Sequence, residues 1–112
     1  MTPPDPIQPA FDALDVCTRA LGDLDAMCCE PGRSPRMAEL GATLDAARGE
    51  LRTVAADAGS GTAAAMETLE DAGAQIGRLQ VGCCAPSRLP LYNEILESLM
   101  TAQRTLTSVA NS

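Results

Sequence analysis

The chain has no histidine and no tryptophan, and only one phenylalanine and one tyrosine. Without histidine it can form no mixed Cys/His zinc site, no imidazole-ligated haem and no Ser/His/Asp catalytic set. The shortage of aromatic rings removes the stacking platforms used to bind single-stranded nucleic acids. A basic surface is missing too: 8 Lys+Arg against 15 Asp+Glu give a net charge of −7, unsuited to a phosphate backbone. No nucleic-acid partner is expected, and the acidic surface reads as a source of solubility. No apolar run approaches the roughly 20 residues of a membrane span. Met1–Ala10 is proline-rich, without the apolar centre of a signal peptide. The expectation is a cytoplasmic protein with no membrane association. Phosphate loops and nucleotide fingerprints are also absent, which favours a non-enzymatic role.

What the sequence does have is helical periodicity. Its 112 residues bound one domain, and the 46% hydrophobic fraction is rich in alanine. The core must therefore be built from small residues around leucine. A core that thin gains from a metal, a covalent link or a second subunit.

Residues 1–8 carry Pro3, Pro4 and Pro6 and read as a flexible arm, with the helical domain spanning 9–112. A first helix is predicted from Pro9 to about Cys29, with Leu14, Cys17, Leu21, Leu24 and Cys28 on one face. Pro31 ends it, because proline disfavours helical geometry in the residue before it. Ser34-Pro35 is a cap followed by a first-turn proline. The second helix then runs to about Ala58, its face made by Met37, Leu40, Leu44, Ala47, Leu51 and Val54. Gly59-Ser60-Gly61 forms a loop, and Thr62 can cap a third helix from Ala63 to about Cys84. Its face is Leu69, Ala72, Ile76, Leu79 and Cys83. A fourth helix from Pro90 to about Val109 presents Tyr92, Ile95, Leu99, Ala102, Leu106 and Val109.

Laying residue 10 on residue 65 aligns the two halves without a gap, and 15 of the 48 paired positions from Ala10 to Asp57 are identical. The matches include Cys28-Cys29-x-Pro31-x-Arg33-x-Pro35 against Cys83-Cys84-x-Pro86-x-Arg88-x-Pro90. This reads as an internal duplication: repeat 1 covers about 10–57 and repeat 2 about 65–112. The expected fold is all-α, an antiparallel up-down-up-down four-helix bundle built from a duplicated helical hairpin. In that topology both cysteine turns fall at one end. Antiparallel helices pack about 8–10 Å apart, a gap that side chains at a bundle end can bridge.

Four of the five cysteines lie in the two turns. Cys28, Cys29, Cys83 and Cys84 are therefore the candidate metal ligands. Thiolates in this number suit an iron–sulfur cluster, zinc or copper(I). Iron–sulfur is placed first, because a four-helix bundle has no evident need of a structural zinc. Arg33 and Arg88 follow each pair and can offset thiolate charge or donate hydrogen bonds to sulfur. Such a centre would serve electron transfer, sensing or metal handling. The adjacency of the cysteines is a difficulty. Neighbours on a helix point about 100° apart, so both reach one metal only where the helix frays before Pro31 and Pro86.

Two other readings stay open. Cys28 with Cys83, or Cys29 with Cys84, can form a reversible disulfide between the hairpins. Alternatively the cysteines only pack the end of a protein-interaction module. Cys17, whose repeat counterpart is Ala72, is read as core and left out of the site. Glu39 and its counterpart Glu94 read as surface helix residues, pairing with Arg36 or another nearby cation, or else backing Arg33 and Arg88. On the fourth helix Leu96 and Met100 widen the apolar face, as a broader core stripe or a seat for a protein partner or second copy. Gly22 and Gly77 suggest a close backbone approach or a contact.

Overall fold

The structure, a computed structural model, describes residues 6–27, 35–57, 61–80 and 89–110. They form four helices, α1 Gln8–Met27, α2 Pro35–Ala56, α3 Thr62–Gln80 and α4 Leu89–Ala110. No strand occurs among the described residues, and no described helix is long and apolar enough to cross a membrane.

The helices pack in a ring, each against two neighbours: α1 on α2, α2 on α3, α3 on α4, and α4 back on α1. The α1–α4 and α2–α3 contacts are the more extensive. Cross-helix contacts follow a descending register. Along α2 and α3, Arg36 meets Arg78, Thr43 meets Gln75, and Glu50 meets Thr68. Between α1 and α2, Asp15 pairs with Arg48 at 2.7 Å, and Leu21 lies against Gly41.

The core follows the expected stripes closely. Met37, Leu40, Leu44, Ala47, Leu51 and Val54 of α2 are all buried, as are Leu14, Cys17, Leu21 and Leu24 of α1. Leu69, Ala72, Ile76 and Leu79 of α3 are buried, with Tyr92, Ile95, Leu99, Ala102 and Leu106 of α4. Val109 is only partly buried, at the end of its stripe. Every buried residue of α3 and α4 lies 55 positions after a buried residue of α1 or α2.

The two larger seams differ in chemistry. On α1, Ala10, Ala13 and Ala20 are buried beside the expected stripe. The α2–α3 seam is polar. Gln75 Nε2 donates to Thr43 Oγ1 at 2.9 Å, and the Thr43 hydroxyl donates to the Glu39 carbonyl at 3.0 Å. The Thr68 hydroxyl sits 2.8 and 2.9 Å from the two carboxylate oxygens of Glu50 and donates to that carboxylate. These partners let half-buried polar groups sit at a seam at little cost.

Several boundaries differ from expectation. Ile7 is buried and Gln8 opens α1, so these two residues belong to the bundle and not to the arm. The Ile7 carbonyl accepts from the Ala10 N–H at 3.0 Å, as the carbonyl before a first helical turn does. At α3 the cap sits one residue earlier than expected. The Gly61 carbonyl accepts from the Ala65 N–H at 2.8 Å, which gives Gly61 the cap position in place of Thr62. Gly61 has φ +80°, a conformation that glycine adopts without strain. Gly22 and Gly77 make no close approach: a Cβ built at either meets no atom within 4 Å. Both are exposed on the outer face of their helices. The predicted ends of the first helix at Cys29, the second at Ala58 and the third at Cys84 lie outside the described residues, as does the Ser34 cap.

Candidate functional site

Cys28, Cys29, Cys83 and Cys84, with Arg33 and Arg88, lie outside the described residues. What the structure gives is the ground on which they stand. The segment 28–34 joins the end of α1 to the start of α2, and 81–88 joins the end of α3 to the start of α4.

The start of α2 and the start of α4 each meet α3 near Gln80. Leu24 near the end of α1, Met37 near the start of α2, Leu79 near the end of α3 and Tyr92 near the start of α4 are all buried in the one core cluster. They are two repeat pairs, Leu24 with Leu79 and Met37 with Tyr92. Two cross-helix hydrogen bonds tie this end. The Tyr92 hydroxyl donates to the Leu79 carbonyl at 3.4 Å, and Arg36 donates from its guanidinium to the Arg78 carbonyl at 3.3 Å. Arg36 follows the first cysteine segment and Arg78 precedes the second, so the flanks of the two segments are in direct contact.

One N–H of Arg36, which was one expected partner of Glu39, thus goes to a carbonyl. A cation at the last carbonyls of a helix also complements the negative end of its dipole. Neither bond has a signal in the sequence. A helix-end carbonyl is invisible in a side-chain pattern, and Tyr92 registers there only as an apolar stripe residue.

Cys17 belongs to the core, as its phase indicates. It is fully buried, with Sγ 3.6 Å from the Ile95 carbonyl. Burial pushes its thiol up to about 12, with the nearby Glu94 charge acting in the same direction; backbone and Ser98 hydrogen bonds pull the other way. A buried thiol held neutral is a poor nucleophile at ordinary pH. Among the described residues, no group of three or more His, Cys, Asp or Glu side chains could hold a metal ion.

On α4, Leu96 is partly buried against the core, while Met100 is 49% exposed. Leu96 has therefore joined the core stripe and Met100 has not. Met100 lines a shallow surface groove with Gln103, Arg104, Thr107 and Ser108, all from α4. No protein-family model matches the chain, no curated protein resembles it significantly in sequence, and no solved structure gives a significant match.

Proposed function

We propose that the chain is an antiparallel up-down-up-down bundle made by duplicating a helical hairpin. Its four paired cysteines together bind a soft metal or an iron–sulfur centre at one end, for electron transfer, sensing or metal handling. The observation that carries this reading is the contact between the flanks of the two cysteine segments, through Arg36 with Arg78 and Tyr92 with Leu79. Two segments that begin and end at helix ends in contact would bring two Cys-Cys pairs within reach of a common centre.

Supporting the duplication, the burial pattern repeats at the same 55-residue offset as the sequence identities. The two larger seams, α1–α4 and α2–α3, also exchange with each other when the halves are exchanged. Supporting the topology, residue numbers fall on one helix as they rise on its neighbour along the α2–α3 and α1–α2 seams.

An iron–sulfur cluster stands first, with zinc and copper(I) as alternatives; Arg33 and Arg88 would donate hydrogen bonds to the thiolate sulfurs. Anaerobic purification, a visible spectrum and assays for iron, zinc, copper and sulfide test the reading. Metal or cluster bound per chain, and lost on changing the four cysteines to serine, is the expected result. Metal-free protein whose four-serine variant is equally stable would end it.

The second reading is a protein-interaction module whose cysteines are structural or disulfide-forming. It is favoured by the exposure of Met100 on α4, which would seat a partner or a second copy.

A further inference from the structure

We propose that Thr43, Glu50, Thr68 and Gln75 are specificity residues that make the unlike halves of the chain pair with each other and reject pairing between like halves of two copies. The inference rests on the duplication and the topology proposed above, and the cysteines play no part in it.

The α2–α3 seam joins the two hairpins through two side-chain pairs. Gln75 of α3 donates to Thr43 of α2 at 2.9 Å, and the Thr68 hydroxyl of α3 meets both carboxylate oxygens of Glu50 at 2.8 and 2.9 Å. All four residues are partly buried. Thr43 and Glu50 are 7 positions apart, as are Thr68 and Gln75, so the two pairs lie about two helical turns from each other along the seam.

The α1–α4 seam takes the equivalent place when the halves are exchanged. On α4 the 55-residue offset puts Ser98 for Thr43 and Thr105 for Glu50, both partly buried. On α1 it puts Ala13 for Thr68 and Ala20 for Gln75, both buried. Each polar partner that α3 offers is a methyl group on α1. Ser98 hydrogen-bonds to the Cys17 thiol instead.

This difference decides which helices can pair. Against α3, both Thr43 and Glu50 are satisfied. Against the α1 of a second copy, Glu50 would meet Ala13 and Thr43 would meet Ala20. An alanine side chain neither donates nor accepts, and a carboxylate drawn partly out of water without a donor is costly. A dimer joined through its first halves contains this seam twice. A duplicated chain has use for such discrimination, because the apolar stripes of its halves fall at matching positions and do not by themselves tell like from unlike. Polar residues at a helix seam set partner choice in the same way in coiled coils.

The test is refolding of the full reduced chain over a range of concentrations. Light scattering reads the mass, and isotope-filtered NMR on a mixture of labelled and unlabelled chain reads which helices meet. Wild type should show α2–α3 contacts within one chain and none between α2 of one copy and α1 of another. Glu50→Leu combined with Thr68→Leu makes the seam apolar. That variant should keep its helix content and raise the association constant of like-paired dimers about a hundredfold, from about tenfold for each charged hydrogen bond that a wild-type dimer would leave unmade. Glu50→Gln, which keeps an acceptor for Thr68, should behave as wild type. Glu67→Leu, which adds a leucine on the exposed face of α3, should do the same. Should the double-leucine variant not fold, Thr43→Val with Gln75→Leu makes the same test at the other pair. Like-paired wild type, an unchanged association constant in the apolar variant, or an equal rise in Glu67→Leu overturns the proposal. Wild-type spectra without α2–α3 contacts would overturn the topology along with it, whereas a failed metal titration would sink only the proposed centre.

Discussion

Gly22 and Gly77 offer a clean perturbation. Both sit inside exposed helix, and a methyl group at either would meet no atom within 4 Å. Replacing them with alanine therefore changes helix propensity and the entropy of the unfolded chain, and nothing in the packing. Glycine in a helix interior costs about 0.8–1.0 kcal/mol relative to alanine. Gly22→Ala and Gly77→Ala should each stabilise the protein by about that amount. The two lie on α1 and α3, which do not share a major seam, so their effects should add to about 2 kcal/mol. With an unfolding entropy of about 2.1 cal/mol/K per residue, this raises Tm by about 8 °C. Gly61→Ala supplies the contrast. Its φ of +80° and a Cβ contact of 3.3 Å to Thr53 Cγ2 make that substitution destabilising, by about 1–2 kcal/mol. Thermal and urea unfolding followed by circular dichroism measure all three. A loss of stability in Gly22→Ala or Gly77→Ala would show that something packs on those positions and would refute the reasoning.

Cys17 governs an alkaline limit. Its folded-state thiol is raised to about 12 from an ordinary value of 9.0, so its contribution is complete below about pH 9 and is lost as pH rises from there towards 12. Cys17→Ala should flatten the fall in unfolding free energy over that window relative to wild type; equal slopes in the two proteins would contradict the burial argument. At neutral pH the same substitution should cost about 1–2 kcal/mol for the small void left. Leu51 and Leu106 are repeat counterparts, both fully buried. Leu51→Ala and Leu106→Ala should each cost about 2–5 kcal/mol in urea unfolding, and a cost below 1 kcal/mol at either would place it outside the core. Arg48→Ala, by contrast, breaks an ion pair whose Asp15 partner is 62% exposed, and should change stability by less than about 1 kcal/mol.

Much of the fold was legible because leucine marks its stripe. All six α2 positions assigned to the core are buried, and so is Cys17, read as core from its phase and its repeat counterpart Ala72. What escaped was carried by weaker signals. Ala10, Ala13 and Ala20 are buried on α1, yet alanine serves equally on an exposed face and so marks no side. Ile7 was hidden by the prolines around it, whose composition reads as an arm. Gly22 and Gly77 recur in both halves, and recurrence suggested a contact; duplication copies a neutral surface glycine as readily as a packed one. At the site, the sequence indicated two matching cysteine pairs. The bonds of Arg36 and Tyr92 to α3 carbonyls depend on main-chain atoms, which no side-chain pattern reports.

The central claim is that the two pairs form one centre. Titrating the reduced chain anaerobically with zinc or copper(I) tests it, comparing wild type with a variant lacking Cys28 and Cys29 and another lacking Cys83 and Cys84. A shared centre predicts that removing either pair abolishes tight binding as fully as removing both. Two variants that each retain half of the wild-type stoichiometry at undiminished affinity would contradict it.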